Sequence, residues 1–119
     1  MKPSVKGIKR ILKAFKYSFD GFVSTFKSEE AFRQDIVFFL LMLFLSFIFD
    51  VTILERVLMI SSLWIVLMME LINTAIEAIV DRISEKHHPL SKKAKDIGSL
   101  LVLMSFVLVF FVWVSILCF

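Results

Sequence analysis

The charged residues of this chain are segregated into blocks, and the stretches between the blocks are apolar. The last of these stretches, Ile97 to Phe119, contains no Asp, Glu, Lys or Arg, and Ile36 to Phe49 and Val57 to Met69 contain none either. An α-helix rises ~1.5 Å per residue, so about 20 apolar residues cross the ~30 Å hydrocarbon core of a bilayer. The runs that begin at Ile36 and Ile97 therefore predict two transmembrane helices.

The composition supports an integral membrane protein. Hydrophobic residues are 59% of the 119 residues, whereas a typical soluble domain contains roughly 45–50%, and a soluble domain of this size could not bury so much apolar surface. Only 3 Gly and 2 Pro are present, too few for a barrel with many turns, so we expect an all-α fold. The single cysteine, Cys118, provides neither a disulfide framework nor a cysteine metal site.

A third crossing has to include acidic residues. Val57 to Met69 is too short to span the hydrocarbon core, so the middle helix must continue through Glu70 and Glu77. We predict one membrane domain, residues 1–119, with crossings at 29–49, 53–83 (including an extension into the cytoplasm) and 92–118. Three crossings place all 14 Lys and Arg residues except Arg56 on one side, which the positive-inside rule assigns to the cytoplasm.

Residues 1–28 predict an amphipathic helix that lies on the membrane surface. Lysines occupy the face opposite the apolar residues, as expected for a helix bound to anionic lipid headgroups. The apolar positions recur every three or four residues: Val5, Ile8, Ile11, Leu12, Phe15, Phe19, Phe22 and Phe26.

The most informative feature is a polar stripe on the middle helix. Glu70, Asn73, Glu77 and Asp81 are spaced by three and four residues, so they share one helix face. A charged side chain in a membrane helix costs ~2.5–3.5 kcal/mol by insertion scales. Asn73 alone would be consistent with a polar contact that joins helices, but two carboxylates beside it favour a functional site.

This stripe is suited to phosphoryl transfer at the boundary between membrane and cytoplasm. One carboxylate can bind a hard cation such as Mg²⁺, and another can act as a general base. Glu29 or Glu30 could add oxygen ligands, and the ammonium groups of Lys92, Lys93 and Lys95 suit a polyphosphate. An alternative from another class is a small oligomeric proton or cation channel lined by Glu70, Asn73 and Glu77, which would leave the basic segment 92–99 unexplained.

The sequence ELINTAIEAIVD of residues 70–81, followed by AKDIGS of residues 94–99, resembles the signature of the small bacterial integral-membrane diacylglycerol kinases. The resemblance covers essentially the whole chain, although Asp35 stands where close members often have Glu. It implies a homotrimer whose active sites are shared between chains in the bacterial inner membrane, with the N-terminus and the active sites facing the cytoplasm. The implied reaction transfers the γ-phosphate of ATP, with Mg²⁺, to diacylglycerol and forms phosphatidic acid. Undecaprenol kinase, a homologous enzyme with the same catalytic signature, remains an alternative.

The resemblance also implies roles for individual residues. Glu70 matches the general base, Asn73 a polar residue of the catalytic site, and Glu29 and Glu77 the metal-binding acids. The implied ATP contacts are Arg10, Tyr17, Glu29, Glu77, Lys86, His87, His88, Lys95 and Asp96. The positions implied to line the lipid site are Ala14, Ser18, Ala31, Phe32, Arg33, Gln34, Asp35, Arg56, Glu70, Ser99 and Trp113.

Overall fold

The computed structural model describes residues 3–83 and 85–119, with side chains from Lys6 onward; positions 1 and 2 of the predicted surface helix lie outside this range. Three of its helices are long and apolar enough to cross a membrane, which confirms the prediction of an all-α chain with three such helices. The described residues form two compact units, one ending at Glu30 and one from Ala31 to Phe119. The helices are α1 (Pro3–Ser28), α2 (Glu30–Ile48), α3 (Ile53–Ile83) and α4 (Pro89–Cys118).

Helix α1 makes up most of the first unit. The hydroxyl groups of Ser18 and Thr25 each donate to the carbonyl oxygen four residues earlier, at 2.8 Å, which satisfies these polar groups within the helix. Phe22 and Phe26 are one turn apart, and their ring centroids are 6.0 Å from each other. Lys27 in the last turn is favourably placed for the negative end of the helix dipole.

The second unit is organised around the packing of α3 against α4. Met59, Leu63 and Val66 of α3 are at most 1% exposed, and their spacing of four and three residues places them on one helix face. Trp113 of α4 packs on this face, and its indole Nε1 donates to the carbonyl oxygen of Met59 at 3.2 Å. Helix α2 contributes Phe39, whose ring meets Trp64 edge-on with centroids 4.9 Å apart.

The connection between α2 and α3 is held by Arg56. Its Nε donates to the carbonyl oxygen of Ser46 at 2.9 Å, and its Nη2 donates to that of Phe49 at 3.1 Å. Ser46 lies in the last turn of α2 and Phe49 follows that helix, where carbonyl groups have no partner within the helix. Thr52 and Glu55 form a reciprocal capping box at the start of α3, with bonds of 2.8 and 3.2 Å.

Helix α4 begins at Pro89, and His88 caps it. Pro89 suits the first helical position because that position needs no N–H donor. His88 has extended backbone angles, and its Nδ1 accepts a hydrogen bond from the backbone N–H of Leu90 at 3.0 Å. Residues 89–91 therefore form the first turn of α4. The basic residues of segment 92–95 follow in the next turn, beside the connection between α3 and α4.

Candidate active site

The polar stripe of α3 is buried in part by the other helices of its unit. Glu70 is 7% exposed and Asn73 is 9% exposed, whereas Glu77 is partly buried. Burying such groups is unfavourable unless they are paired or hydrogen-bonded. The buried end of the stripe therefore requires specific partners.

Asn73 packs directly against Gly98 of α4. A methyl group built on Gly98 would overlap Oδ1 of Asn73, and it would lie 3.2 Å from Cγ of the same side chain. That Oδ1 atom is buried and accepts no hydrogen bond from the described residues. The absence of a side chain at position 98 lets the Asn73 carboxamide lie between the two helices.

Glu70 meets a second carboxyl group from α2. Asp35 is half-buried, and its carboxyl group lies close to that of Glu70. Oδ2 of Asp35 is also buried and has no N–H or O–H partner in the part of the chain that the structure describes. Two acidic side chains, 35 positions apart in the sequence, thus lie close together in the second unit.

A polar cavity of about 440 Å³, lined mainly by polar residues and open to one side, lies at the connection between α3 and α4. Its walls bring together five of the residues implied to contact ATP, namely Lys86, His87, His88, Lys95 and Asp96. Asp81, Glu85, Ser91 and Lys92 complete the polar lining. The imidazole and ammonium groups among these residues can hydrogen-bond to phosphate oxygens.

Ion pairs at this cavity join the two helices. Nζ of Lys95 lies 2.7 Å from Oδ1 of Asp81, and Glu77 also attracts the Lys95 ammonium group. Lys92 pairs with Asp96 at 2.6 Å, within α4. These side chains are 44–64% exposed, so the pairs contribute little to stability and can be exchanged for a phosphate ligand at small cost.

The candidate metal ligands lie in different units. Glu77 belongs to the second unit and Glu29 to the first. Among the described residues, no group of three or more His, Cys, Asp or Glu side chains is arranged to hold a metal ion. The chemistry of the donors does fit Mg²⁺, because that ion prefers carboxylate oxygens and keeps several ligands from water or from phosphate.

Sequence comparison identifies the family. The sequence profile of prokaryotic diacylglycerol kinases matches residues 16–117. The chain belongs to the prokaryotic diacylglycerol kinase family. Similar proteins of this family, each called diacylglycerol kinase, include one from Pseudomonas aeruginosa, 44% identical over 93% of this chain and 90% of the relative. Those of Escherichia coli K12 and Haemophilus influenzae are 42% and 41% identical over 95% of this chain and cover 93% and 96% of the relatives.

Several of the residues predicted to line the lipid site lie far from Glu70. Arg56 is 14 residues from Glu70 on the same helix, about 21 Å along its axis, and it binds the end of α2. Trp113 is buried beside Met59 at the same end of α3. Phe32 is buried and Ser99 is exposed, whereas Arg10, Ala14, Tyr17 and Ser18 are exposed residues of α1. A nucleotide-binding role for Arg10 and Tyr17, and a lipid-binding role for the others, stay predictions.

Sequence reasoning gave no role to several residues of this site, and Asp81 and Gly98 are the two that contact its predicted residues most directly. Asp81 was placed on the stripe without a role, although its position four residues after Glu77 and the basic residues at the start of α4 indicated an ion pair. Gly98 gave no usable signal, since a single glycine in an apolar helix is compatible with many environments. Its contact with Asn73 depends on how α3 and α4 pack.

Gly98→Ala should lower kinase activity by about tenfold or more. Overpacking costs ~1–3 kcal/mol, and each ~1.4 kcal/mol corresponds to tenfold if it falls on the transition state. The added methyl group has to displace the Asn73 carboxamide or separate the helices.

Gly21→Ala is the matched control, since a methyl group there meets nothing within 4 Å. Lipid phosphorylation and thermal unfolding in detergent should be measured for both variants. Wild-type activity in Gly98→Ala would show that the Asn73–Gly98 contact does not matter for the reaction.

Proposed function

We propose that this chain is an ATP-dependent diacylglycerol kinase that forms phosphatidic acid. The observation that carries the proposal is the placement of a buried carboxyl group, Glu70, on the same helix face that leads to a polar cavity suited to phosphate. A lipid hydroxyl group can approach Glu70 from the bilayer, while a nucleotide can enter the polar cavity from water. Membership of the family supports the same reaction.

In the proposed mechanism, Glu70 accepts the proton of the diacylglycerol hydroxyl group. The hydroxyl oxygen forms a bond to the γ-phosphorus of ATP, and the bond from that phosphorus to the β–γ bridging oxygen breaks to release ADP. Lys95, together with Arg10, positions the nucleotide phosphates, and Asn73 orients groups beside Glu70. Positioning and charge stabilisation provide most of the rate enhancement in such reactions.

Glu29 and Glu77 would hold Mg²⁺ in this proposal. When bound, the ion neutralises part of the charge on the ATP phosphates. The electrostatic attraction between Glu77 and Lys95 supports a role for Glu77 beside the phosphates. The remaining proposed ATP contacts are Tyr17, Lys86, His87, His88 and Asp96.

We further propose that three copies form a homotrimer in the bacterial inner membrane, each copy being a single membrane domain of residues 1–119. The asymmetric distribution of Lys and Arg supports an N-terminus and active site on the cytoplasmic side. The apolar and basic faces of α1 support its position on the membrane surface. The residues that we propose for the lipid site are Ala14, Ser18, Ala31, Phe32, Arg33, Gln34, Asp35, Arg56, Glu70, Ser99 and Trp113.

The direct test is a phosphorylation assay with purified protein. The protein should be incubated with γ-labelled ATP, Mg²⁺ and either diacylglycerol or undecaprenol in mixed micelles. We expect label in phosphatidic acid and much less in undecaprenyl phosphate. Preferential labelling of undecaprenol would show that undecaprenol is the lipid substrate. If neither lipid is labelled, the proposed kinase function is wrong, and the channel becomes the remaining hypothesis.

Mg²⁺ dependence separates the two carboxylate roles. Glu77→Gln and Glu29→Gln should each weaken apparent Mg²⁺ affinity by at least the ~10–100-fold seen when a metal site loses an outer-shell partner. Raising Mg²⁺ should recover part of the activity in these variants but none in Glu70→Gln, which loses the base. The measurement is the initial rate against free Mg²⁺ at saturating lipid, and equal recovery in all three variants would show that the roles are divided wrongly.

A further inference from the structure

Gly98 determines which end of the Asn73 carboxamide can take part in chemistry. A Cβ atom built on Gly98 would overlap Oδ1 of Asn73 and lie 3.2 Å from its Cγ, and Nδ2 is farther from that point than Cγ. Because glycine has a hydrogen atom in place of Cβ, a Cα–H bond of Gly98 points at Oδ1, and such Cα–H···O contacts recur where helices pack closely. The oxygen end of the carboxamide therefore faces α4, and the nitrogen end is turned away from Gly98.

The same contact disfavours the reverse orientation of the carboxamide. Turning Nδ2 towards Gly98, which is itself buried, would aim N–H donors at a C–H group that accepts no hydrogen bond. A buried N–H group without an acceptor is costly, and Asn73 is only 9% exposed. The contact with Gly98 thus holds the carboxamide in one orientation.

This orientation limits what Asn73 can do in a reaction. Its Oδ1 atom is buried and accepts no N–H or O–H bond from the described residues. An oxygen atom that lies against a glycine and is excluded from water is not available to bind a metal ion. The two N–H bonds of Nδ2 remain, and they can only donate. Asn73 is therefore suited to act as a hydrogen-bond donor to an anionic oxygen atom.

The order of residues along α3 indicates which oxygen atoms this donor meets. Glu70, the proposed base, precedes Asn73 by three residues, which is ~4.5 Å along the helix axis. Glu77, the proposed magnesium ligand, follows Asn73 by four residues, which is ~6 Å. During its transfer from ATP to the lipid hydroxyl group, the γ-phosphoryl group has to lie between these two levels, beside Asn73.

We propose that Gly98 is a positioning residue of the kinase, and that it holds Oδ1 of Asn73 so that Nδ2 donates to an oxygen atom of the γ-phosphoryl group. Negative charge is spread over these oxygen atoms in the transition state of phosphoryl transfer, and a preorganised donor stabilises that charge. Asn73 neither gives nor takes a proton, because the hydroxyl proton passes to Glu70. This inference rests on the proposed kinase function, although the orientation of the carboxamide does not.

A double-mutant cycle tests whether Gly98 acts through Asn73. Asn73→Ala should lower kcat by about 10²–10³-fold, the usual cost of one such donor. Gly98→Ala should lower kcat by about tenfold or more when Asn73 is present. In the Asn73→Ala background it should cost less than about twofold, because the added methyl group has no Oδ1 to meet.

Gly21→Ala is the matched control of the cycle and should cost nothing in either background, since its methyl group meets nothing within 4 Å. KM for Mg²⁺–ATP should stay near the wild-type value in all variants. Equal losses for Gly98→Ala in both backgrounds would show that Gly98 only maintains helix packing, and that result would overturn its positioning role.

The Mg²⁺ dependence of Asn73→Ala distinguishes a donor from a metal ligand. We expect the apparent Mg²⁺ affinity of this variant to stay within about twofold of the wild type, whereas it should fall in Glu77→Gln. A loss of ~10–100-fold in Asn73→Ala would be typical of a disturbed metal site and would refute the donor role.

The donor can also be observed without catalysis. Asn73 is the only asparagine of the chain, so ¹⁵N-labelled asparagine gives a single pair of Nδ2 proton signals in an NMR spectrum. Mg²⁺ with β,γ-methylene-ATP, which presents a γ-phosphoryl group but cannot transfer it, should move this pair downfield. Mg²⁺–ADP should not move it, and Gly98→Ala should reduce the shift. Unchanged signals in wild-type protein saturated with the analogue would overturn the proposal.

Failure of the proposed function can be told apart from failure of this inference. If the wild-type chain phosphorylates no lipid and binds no analogue, the proposed function fails, and the two Hα signals of Gly98 still test the orientation. The Hα atom that points at Oδ1 should resonate downfield of the other, and the difference should shrink in Asn73→Ala. A difference that persists in Asn73→Ala would overturn the contact on which the inference depends.

Discussion

Glu70→Gln is expected to reduce diacylglycerol phosphorylation by about 10²–10⁴-fold, the usual cost of losing a general base. Glutamine has nearly the same shape as glutamate and can occupy the same buried position, but it cannot accept the hydroxyl proton. The fall should appear in kcat, while KM for ATP stays near the wild-type value, because the polar cavity at the α3–α4 connection lies about three helical turns away from Glu70.

The decisive measurement combines kinetics with an assembly assay. Initial rates should be compared for the wild type, Glu70→Gln and Asp50→Asn, the last of which removes an exposed carboxyl group at the α2–α3 connection. Size-exclusion chromatography should show the same oligomer for all three, so that loss of activity is not loss of assembly. Near-normal turnover in Glu70→Gln would refute its assignment as the base.

Co-assembly of two inactive variants should restore activity if active sites are shared between chains. We expect a one-to-one mixture of Glu29→Gln and Glu70→Gln to reach about a quarter of wild-type activity, since each interface needs an intact Glu29 from one chain and an intact Glu70 from the next. Either variant alone should stay nearly inactive. The recovery should follow the mixing ratio as random subunit exchange predicts.

The control is a mixture in which no complementation can occur. Glu70→Gln combined with a double variant, Glu29→Gln with Glu70→Gln, contains no intact Glu70 and should remain inactive at every ratio. Subunit exchange has to be demonstrated by crosslinking differently tagged chains. Proven exchange without recovery in the first mixture would mean that each chain holds its own complete site.

Periodicity and charge along the chain were sufficient to predict the helices and the face of α3 that carries the chemistry. Uncharged runs long enough to cross a bilayer predict spans regardless of what packs beside them. The spacing of Glu70, Asn73 and Glu77 places them on one face through helical geometry alone. For the same reason, residue types suited to phosphate and Mg²⁺ could be recognised before any contact was known.

Contacts between helices were decided only by the tertiary structure. Asp35 lies near Glu70, Gly98 accommodates Asn73, and Lys95 reaches Asp81 because α2 and α4 pack on α3 in one particular register. That register depends on the summed packing of apolar side chains such as Met59 and Trp113. Many sequences with the same hydrophobic pattern would pack their helices in a different register. Helical periodicity determines which face of a helix a residue occupies, but the residue that lies opposite is determined by close packing between helices.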